Sequence, residues 1–392
     1  MNRRPPPPAR DAHRVHGMAN DEVAPDWPAL SDEEAASVIS RVRDGEGLGD
    51  GADSCVVWSS PRPMSAAALV RTARGEVFVK RHHRRVRGPA RLRVEHDFAR
   101  HLRDRGQPVA RVVRFADGDT VFRRGEFVYE VHEKVTGVDL YREAPSWYPF
   151  ASVAHAYAAG EALARFHGAA RDFRAPATPP GVLMTSTDVV ASRDPVLALE
   201  DLVTHRRALA RALASRAFAD EVAQLLSAPL RAAAPLVARL ETQWGHGDWH
   251  PSNLTWSAPD DPARVVGVVD LGLANRTNVV HDLAVALERS TIDWLDLEGR
   301  GEVRADLAAT DAFLDGYEAQ RPLHPGERRA LCAVVVVSHL EFALSEVEYF
   351  ADVVRSTANT HLAYDGYLMG HVRWFAGSRG DEFIAHLRRR WD

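Results

Sequence analysis

The alternation of apolar and polar residues predicts a strand-rich region near the start of the chain. Short apolar runs bounded by turn residues, with one helical pattern over 90–104, are typical of an antiparallel sheet that carries one helix. The sequence from Ser31 to Glu34, SDEE, has the form of a capping box and predicts an amphipathic helix that ends at about Arg43. The predicted strands are 55–58, 67–72, 76–80, 119–124 and 126–134, with a turn over 73–75.

Helical patterns dominate the rest of the chain. Apolar residues at helical spacing cover 151–170 and most of 197–240, and they return from about His281 to the end. Two short strand-like runs, LTW at 254–256 and VVGVVD at 265–270, interrupt them and are joined by a turn-rich segment. The pattern therefore predicts an α+β chain in which strands come first and helices follow.

Changes in composition and in the hydrophobic pattern divide the chain into three parts. Residues 1–30 begin with a Pro- and Arg-rich stretch and are expected to be a disordered tail, with Met18 as an alternative start of translation. Residues 31–134 are expected to form a small N-terminal lobe, an antiparallel sheet with one key helix. Residues 135–392 are expected to form a larger, mostly helical C-terminal lobe.

Composition narrows the class of protein. Hydrophobic residues make up 45% and charged residues 26% of the chain, which is ordinary for a globular protein. The net charge of -5 gives no case for binding to nucleic acid or an anionic membrane. The two cysteines, Cys55 and Cys332, form no zinc-binding motif and suit a reducing compartment. With no apolar run long enough for a signal peptide or a membrane helix, we expect a cytoplasmic protein.

The segment HGDWHPSN, from His246 to Asn253, concentrates residues that carry chemistry. One interpretation is a metal site, because His246, Asp248 and His250 alternate and would point the same way on extended backbone. The other is a phosphoryl-transfer loop, in which Asp248 orients a hydroxyl and Asn253 binds a metal ion. A strand pair follows and ends in Asp270-Leu-Gly, which supplies a second carboxylate for the latter interpretation.

HGDWHPSN resembles the HGDxHPxN motif of the aminoglycoside phosphotransferase and choline kinase-like family, and the DLG sequence is similar to the family's second metal-binding motif. The resemblance implies a two-lobed, protein-kinase-like fold. It implies that Asp248 is the catalytic base and that Asn253 and Asp270 bind Mg²⁺. It also implies that Asp282, in the sequence HDLA, braces the catalytic loop, and that His246 supports the loop rather than taking part in catalysis.

The N-terminal lobe is expected to bind the nucleotide. Lys80 ends the run EVFVK, and Glu95 lies on the following predicted helix, so the two residues suit the Lys–Glu pair that holds nucleotide phosphates. The resemblance implies a hinge beside the base at Glu133, Lys134 and Val135. It places the phosphate-covering turn at 59–65, which contains two prolines and no glycine. The candidate phosphate contacts there are Ser59, Ser60 and Ser65, with Arg62 as a further one.

These motifs predict an enzyme that transfers the γ-phosphoryl group of ATP, or of GTP, with Mg²⁺ to a hydroxyl group of a small molecule such as an aminoglycoside, homoserine or choline. Three alternatives stay open: a protein-serine/threonine kinase of the same fold, a nucleotide-binding pseudokinase, and a metallohydrolase that uses His246, Asp248 and His250. The oligomeric state is not predicted.

A late helical pattern places three acids on one face, at steps of seven and four residues. These acids are Glu341, Glu348 and Asp352. They would suit recognition of a cationic amine in the acceptor, or they would form a solvent-facing acidic stripe.

Overall fold

The structure, a computed structural model, describes residues 13–18, 21–258, 263–296 and 301–392. Its elements fall into two units, one of residues up to Arg84 with 112–134, the other of 85–111 with 135–392. None of the described helices is long and apolar enough to cross a membrane. The first unit contains β1 (Val15–His16), β2 (Glu22–Val23), α1 (Asp32–Ile39), β3 (Cys55–Ser59), β4 (Ala66–Thr72), β5 (Gly75–His83), β6 (Phe122–Arg124) and β7 (Phe127–Glu133).

A five-stranded antiparallel sheet, in the order β3-β4-β5-β7-β6, forms the body of the first unit. Strand β5 lies at its centre, where Lys80 is opposite Ala67 of β4 and Glu130 of β7. Buried valines and alanines of the sheet pack against the apolar face of α1, which is the reason for the period-two pattern read from the sequence. The predicted strands and the turn between β4 and β5 are confirmed.

Helix α1 begins as the sequence predicts but ends earlier. The Ser31 hydroxyl accepts a hydrogen bond from the Glu34 backbone N–H at 3.1 Å, which confirms the N-cap. The Glu34 carboxylate binds the Arg81 guanidinium at 2.8 Å and accepts a hydrogen bond from the Tyr129 hydroxyl at 2.6 Å. Glu34 thus ties the helix to the sheet, and the helix ends at Ile39 rather than at about Arg43.

The predicted tail contains structure where it is described. Within 13–18 and 21–30, strands β1 and β2 form an antiparallel pair, with Val15 opposite Val23. The His16 backbone N–H donates to the Pro61 carbonyl at 2.9 Å, and His13 Nε2 lies 3.1 Å from the Ser60 carbonyl oxygen. The difference from the prediction arises because this segment finds backbone partners on the turn between β3 and β4. Residues 1–12, which carry the Pro/Arg-rich stretch, and 19–20 lie outside the described residues.

The second unit is mostly helical, with two small strand pairs, β9 with β10 and β8 with β11. Short π-helical stretches follow α6, α11 and α12. Its elements are α2 (Pro89–Arg103), α3 (Val153–Ala170), α4 (Pro195–His205), α5 (Arg207–Leu213), α6 (Phe218–Glu221), α7 (Ser227–Val237), β8 (Gln243–Gly245), β9 (Leu254–Trp256), β10 (Val265–Val268), β11 (Asn275–Thr277), α8 (Val279–Thr291), α9 (Leu307–Gln320), α10 (Pro325–Val334), α11 (Leu340–Glu348), α12 (Thr357–His361), α13 (Met369–Phe375) and α14 (Ser378–Arg389).

Helix α2 belongs to the second unit, although the predicted N-terminal lobe, 31–134, contains it. Its buried Phe98 packs edge-on against Phe166 of α3, with ring centroids 5.8 Å apart, and against Trp244 of β8 at 5.3 Å. The sequence predicted the helix but not these aromatic partners, which are far away in the chain.

Glycines allow α3 and α9 to pack closely. A β-carbon on Gly160 of α3 would lie 1.9 Å from the Phe313 carbonyl oxygen, and one on Gly316 of α9 would lie 2.0 Å from the Tyr157 carbonyl oxygen. Each glycine therefore lies directly against the backbone of the other helix.

We expect Gly160→Ala to destabilise the protein by about 1–3 kcal/mol, because the added methyl group must push the two helices apart. Gly168→Ala is the matched control on the same helix, since a β-carbon there meets nothing within 4 Å. That change should be neutral or stabilising by about 0.5–1 kcal/mol, as alanine loses less backbone entropy on folding. Urea denaturation of both variants measures the difference, and equal stabilities would refute the packing argument.

Candidate active site

The candidate catalytic loop lies between two strand pairs. It leaves β8 at Gly245, passes through His246 to His250, and makes one 3₁₀ turn over Pro251–Asn253 before β9. Strand β10 runs back beside β9, and the Val269 backbone N–H donates to the Asn253 carbonyl at 2.9 Å. The residue before Asp270 is therefore held against Asn253, which brings the two predicted metal ligands to the same end of the strand pair.

Asp248 and Asn253 are in direct contact. The Asn253 side-chain amide nitrogen donates to the Asp248 backbone carbonyl at 2.9 Å and to its carboxylate at 3.1 Å. His250 Nε2 lies 3.1 Å from the same nitrogen and 3.4 Å from Asp248 Oδ1. His250 thus faces the loop interior rather than solvent. Because the amide nitrogen of Asn253 makes these contacts, its amide oxygen is the atom left to act as a metal ligand.

Arg289, which the sequence did not single out, forms an ion pair with Asp248. Its guanidinium group donates to Asp248 Oδ1 and is almost fully buried, whereas the Asp248 side chain is 18% exposed. The rings of Trp147 and Phe342 lie 4.9 and 4.8 Å from the guanidinium carbon. Burial raises the pKa of Asp248, but the influence of His250 and Arg289 is stronger and holds that pKa below its ordinary value. Asp248 is therefore a carboxylate at neutral pH.

Asp282 holds the backbone of the loop from the buried side. Its carboxylate accepts hydrogen bonds from the backbone N–H groups of His246, at 2.6 Å, and Gly247, at 2.8 Å. It also accepts one from His167 Nε2 at 3.0 Å, while His167 Nδ1 lies 2.8 Å from the Tyr317 hydroxyl. Burial raises the pKa of Asp282, but the His167 hydrogen bond and these contacts outweigh it and hold the pKa below its ordinary value.

His246 makes its contacts with the backbone on both sides of the ring. Its Nε2 donates to the Val269 carbonyl at 3.2 Å, and its Nδ1 accepts from the Asp248 backbone N–H at 3.2 Å. Burial lowers its pKa despite the nearby carboxylates, so the ring is neutral and supports the loop. The one ring lone pair, on Nδ1, already accepts a hydrogen bond, and Nε2 carries the proton that it donates. In the described part of the second unit, His246, Asp248 and His250 do not form a cluster of possible metal ligands.

Asp270 adopts the left-handed conformation, with φ of 59°, and its carboxylate accepts a hydrogen bond from the Gly272 N–H at 3.2 Å. A non-glycine residue in this conformation is strained and is often found at functional sites. Arg91 donates to the Gly272 carbonyl at 2.5 Å, and burial lowers the pKa of Arg91 to about 10. The Glu95 carboxylate forms ion pairs with two guanidinium groups, that of Arg91 at 3.0 Å and that of Arg87 at 3.8 Å. Within the second unit, Glu95 is thus linked to the DLG turn through arginine.

The predicted phosphate contacts lie in the first unit. Lys80 is on the central strand, and the predicted turn joins β3 to β4, with Ser59 as the last residue of β3. The Ser60 N–H donates to Ala67 at 2.8 Å, and the Ser60 hydroxyl accepts from the Arg62 N–H at 3.3 Å. Ser65 precedes β4. The turn is therefore ordered by backbone contacts in spite of its two prolines.

The predicted hinge coincides with the point where the chain passes from the first unit to the second. Glu133 is the last residue of β7, and Val135 is the first residue of the second unit after the strand. The Lys134 ammonium binds the Glu76 carboxylate at 2.9 Å. The side chain of Lys134 is thus directed at the sheet.

The three acids predicted to form a stripe on and after α11 are paired, although the Asp352 side chain is still 31% exposed. Glu341 is buried and accepts a hydrogen bond from the Val189 N–H at 2.9 Å. Glu348 pairs with Arg206, and Asp352 pairs with Arg85 and, at 3.5 Å, with Arg211. These acids therefore connect α11 and the stretch after it to other segments of the unit, rather than forming an unpaired stripe that faces solvent.

Burial raises the pKa of Glu341 from 4.5 to about 7. Because the folded pKa lies above the unfolded one, the contribution to stability is complete below pH 4.5 and is lost as the pH rises to about 7. We expect Glu341→Gln to remove this loss, which amounts to about 3 kcal/mol. The variant should match the wild type at pH 4.5 and exceed its stability at pH 8 in urea denaturation. Glu200→Gln, at an exposed site, is the control and should show no such pH dependence.

Helix α8, which carries Asp282, also carries charged residues that indicate the partner of Asp248. Every residue of α8, including Asp282, Glu288 and Arg289, is buried. Charged residues that are buried on all sides are rare unless they are paired. Arg289 follows Asp282 by seven residues, so both lie on one face of the helix. A charged set at this spacing in an otherwise apolar helix could have pointed to the partner of Asp248.

The sequence profile of the phosphotransferase enzyme family matches residues 65–323, which is well over half of the chain. The chain belongs to the phosphotransferase enzyme family. The match spans Lys80, the HGDWHPSN loop, Asp270 and Asp282, so the family resemblance read from the motifs is confirmed. No curated protein matches this sequence.

Solved structures of similar fold are also phosphotransferases. A microcompartment-associated aminopropanol kinase has a TM-score of 0.56 at 15% identity, over 88% of this chain and 98% of that one. An amicoumacin kinase in complex with AMP-PNP, Ca²⁺ and Ami has a TM-score of 0.55 at 14% identity, over 88% and 93%. A spectinomycin phosphotransferase in complex with ADP and spectinomycin has a TM-score of 0.51 at 9% identity, over 92% and 98%.

At these identities the likeness establishes the fold of this phosphotransferase. The fold class is the predicted one, α+β and protein-kinase-like, with a small antiparallel sheet and a helical remainder. The family shows a kinase-type enzyme.

Proposed function

We propose that the protein transfers the γ-phosphoryl group of ATP or GTP to a hydroxyl group of a small molecule. The observation that carries the proposal is the contact between Asn253 and the Asp248 carboxylate, on a loop whose backbone is held by Asp282. An ionised carboxylate fixed at a loop can orient a hydroxyl and accept its proton. The aminopropanol, amicoumacin and spectinomycin phosphotransferases of the same fold make a small acceptor the natural choice.

The donor set at Asn253 and Asp270 fits Mg²⁺, which prefers hard oxygen ligands. Asn253 offers an amide oxygen and Asp270 a carboxylate, and the backbone contact between Val269 and Asn253 keeps their strands together. When bound, Mg²⁺ would neutralise charge on the triphosphate. Lys80 and Glu95 would act on the phosphates, with the serines of the turn at 59–65, and the backbone at Glu133, Lys134 and Val135 would face the base.

One observation favours a second candidate, a nucleotide-binding protein without transfer activity. Arg289 occupies Oδ1 of Asp248, so the carboxylate is paired before any acceptor arrives. We favour the enzyme because Arg289 contacts only Oδ1 in the described loop, whereas Oδ2 contacts the Asn253 amide nitrogen next to the proposed metal ligands.

The proposal is tested by thermal unfolding with Mg²⁺-ATP and Mg²⁺-GTP, on the wild type and on Asp270→Ala. A nucleotide at a hundred times its dissociation constant should stabilise the wild type by about 2.7 kcal/mol, since it binds only the folded state. The stabilisation should need Mg²⁺ and should be lost in the variant. Asp220→Ala, at an exposed position of α6, is the control and should keep it.

A panel of amino alcohols, aminoglycosides and other hydroxyl compounds then separates the two candidates. Nucleoside diphosphate formed in proportion to a phosphorylated product identifies the enzyme. Nucleotide binding with no product from any acceptor, including protein hydroxyls, would favour the binding protein, and no nucleotide-dependent stabilisation would contradict both.

A further inference from the structure

Three buried side chains from separate helical segments meet next to Arg289. Glu288 lies on α8, His339 directly precedes α11, and His371 lies on α13. One possible ligand atom of each lies within 4.8 Å of the other two. All three side chains are less than a tenth exposed. We call this group the Glu–His–His cluster.

Two atoms of the cluster lack hydrogen bonds. His339 Nε2 donates to the Leu368 carbonyl at 3.1 Å, so its Nδ1 carries a lone pair. Neither His339 Nδ1 nor Glu288 Oε2 has a hydrogen-bond partner among the described residues. A buried polar atom without a partner destabilises the folded state, and a bound ion is one of the partners that can satisfy such an atom.

The Glu288 side chain is incompletely paired with its charged neighbours. Arg289 Nε lies 3.8 Å from Glu288 Oε2, beyond hydrogen-bonding distance. The Arg289 guanidinium is already paired with Asp248. The cluster therefore combines one carboxylate with two imidazoles in a site from which water is largely excluded.

We propose that Glu288, His339 and His371 bind one divalent first-row transition-metal ion, with Zn²⁺ as the preferred ion. Two imidazole nitrogens and one carboxylate oxygen are a ligand set that zinc accepts, and they differ from the hard oxygen ligands proposed for Mg²⁺. A bound ion would satisfy both atoms that lack partners. It would also replace the proton between His371 Nδ1 and Glu288 Oε1, which are 2.5 Å apart, and that proton would move to Nε2 of the same ring.

The surroundings of the cluster support a fixed metal geometry. The Leu368 carbonyl orients the His339 ring, as backbone carbonyls often do for zinc ligands. Trp294 stacks on His371 with a ring separation of 3.4 Å, and its indole N–H donates to the Glu288 backbone carbonyl at 2.7 Å. The ion would connect α8, which carries the partner of Asp248, to α11 and α13. The proposal does not depend on phosphoryl transfer.

The test uses the full chain without a histidine tag, freed of metal by a chelator and kept free of nucleotide. Co²⁺ is titrated as a spectroscopic probe of zinc sites, and Zn²⁺ is then used to displace it. We expect one equivalent of Co²⁺ to give the visible bands of a four-coordinate ion and to be displaced by Zn²⁺. We expect Zn²⁺ also to raise the midpoint of thermal unfolding.

Glu288→Gln and His339→Asn should each weaken zinc binding by at least about tenfold, because even the loss of an outer contact has effects of that size. Two controls should bind as the wild type does: His386→Asn, at a histidine paired with Asp311 on the surface, and His132→Asn, at a histidine paired with Glu130 in the first unit. Circular dichroism checks that each variant folds.

A wild-type chain that binds neither Co²⁺ nor Zn²⁺ stoichiometrically overturns the proposal, whatever the variants do. It is also overturned if the folded Glu288 and His339 variants keep full affinity, or if only His132→Asn loses it. Because no nucleotide is present, these results are separate from success or failure of the nucleotide experiments.

Discussion

Replacing Asp248 with asparagine is expected to reduce phosphoryl transfer by about 10²–10⁴-fold, the typical contribution of a general base. Asparagine keeps the shape of the side chain but cannot accept the hydroxyl proton. It can still contact Asn253, so Mg²⁺-nucleotide binding and the associated thermal stabilisation should persist. Steady-state formation of nucleoside diphosphate with the identified acceptor measures the loss. Turnover within a few-fold of the wild type would exclude Asp248 as the base.

The ion pair with Arg289 makes a control necessary. Asp248→Asn alone leaves the buried guanidinium without its charged partner, which costs about 3–5 kcal/mol when a buried pair is broken. The double variant Asp248→Asn with Arg289→Met removes both charges and should regain much of that stability. If Asp248 acts in transfer, the double variant stays inactive although it is stable. Recovery of turnover together with stability would show that Asp248 matters only through its pairing.

Local patterns were sufficient for most of the secondary structure. The alternation of residues around Val77 and Val79 reflects a sheet with one buried face, and Ser31 is the N-cap that its sequence predicts. The spacing of Asp248, Asn253 and Asp270 is likewise local, because one loop and one strand pair hold all three. The family match agrees with those motifs.

Contacts between distant parts of the chain were not predictable in the same way. Arg289 reaches Asp248 over 41 positions, and the cluster of Glu288, His339 and His371 combines three helical segments. The spacing between the contacting residues is not fixed by any motif, although the charged residues of α8 are a signal for Arg289. For the same reason the sequence does not indicate that α2 packs in the second unit, since Phe98 finds its aromatic partners only in the folded chain. The acids predicted to form a stripe on α11 are not an unpaired solvent face, because their partners, such as Arg206 and Val189, come from other parts of the chain.

Hydrogen bonds to backbone groups hold the catalytic loop in place. The Asp282 carboxylate accepts hydrogen bonds from two backbone N–H groups of the loop. The His246 ring makes two further hydrogen bonds with backbone groups. Such fixed geometry holds a reacting group in its working position before the substrate binds. Much of the rate acceleration of enzymes comes from this preorganisation.

Asp282→Asn is expected to destabilise the protein by about 3 kcal/mol and to lower turnover in the same experiment. The carboxylate accepts from the N–H groups of His246 and Gly247 and from His167, all buried. Asparagine has only one oxygen. If that oxygen serves His246 and His167, the new amide nitrogen faces the Gly247 N–H, and a buried donor is left without an acceptor.

The displaced N–H lies next to Asp248, so the loop must shift, and the effect on kcat should exceed the effect on nucleotide binding. Urea denaturation and steady-state kinetics measure the two effects. Asp365→Asn is the matched control, because Asp365 is about half exposed and pairs with Arg216 at 2.5 Å on the surface. Its loss should cost less than about 1 kcal/mol and leave turnover unchanged. If Asp282→Asn behaves like this control, the loop is held by contacts other than those of Asp282.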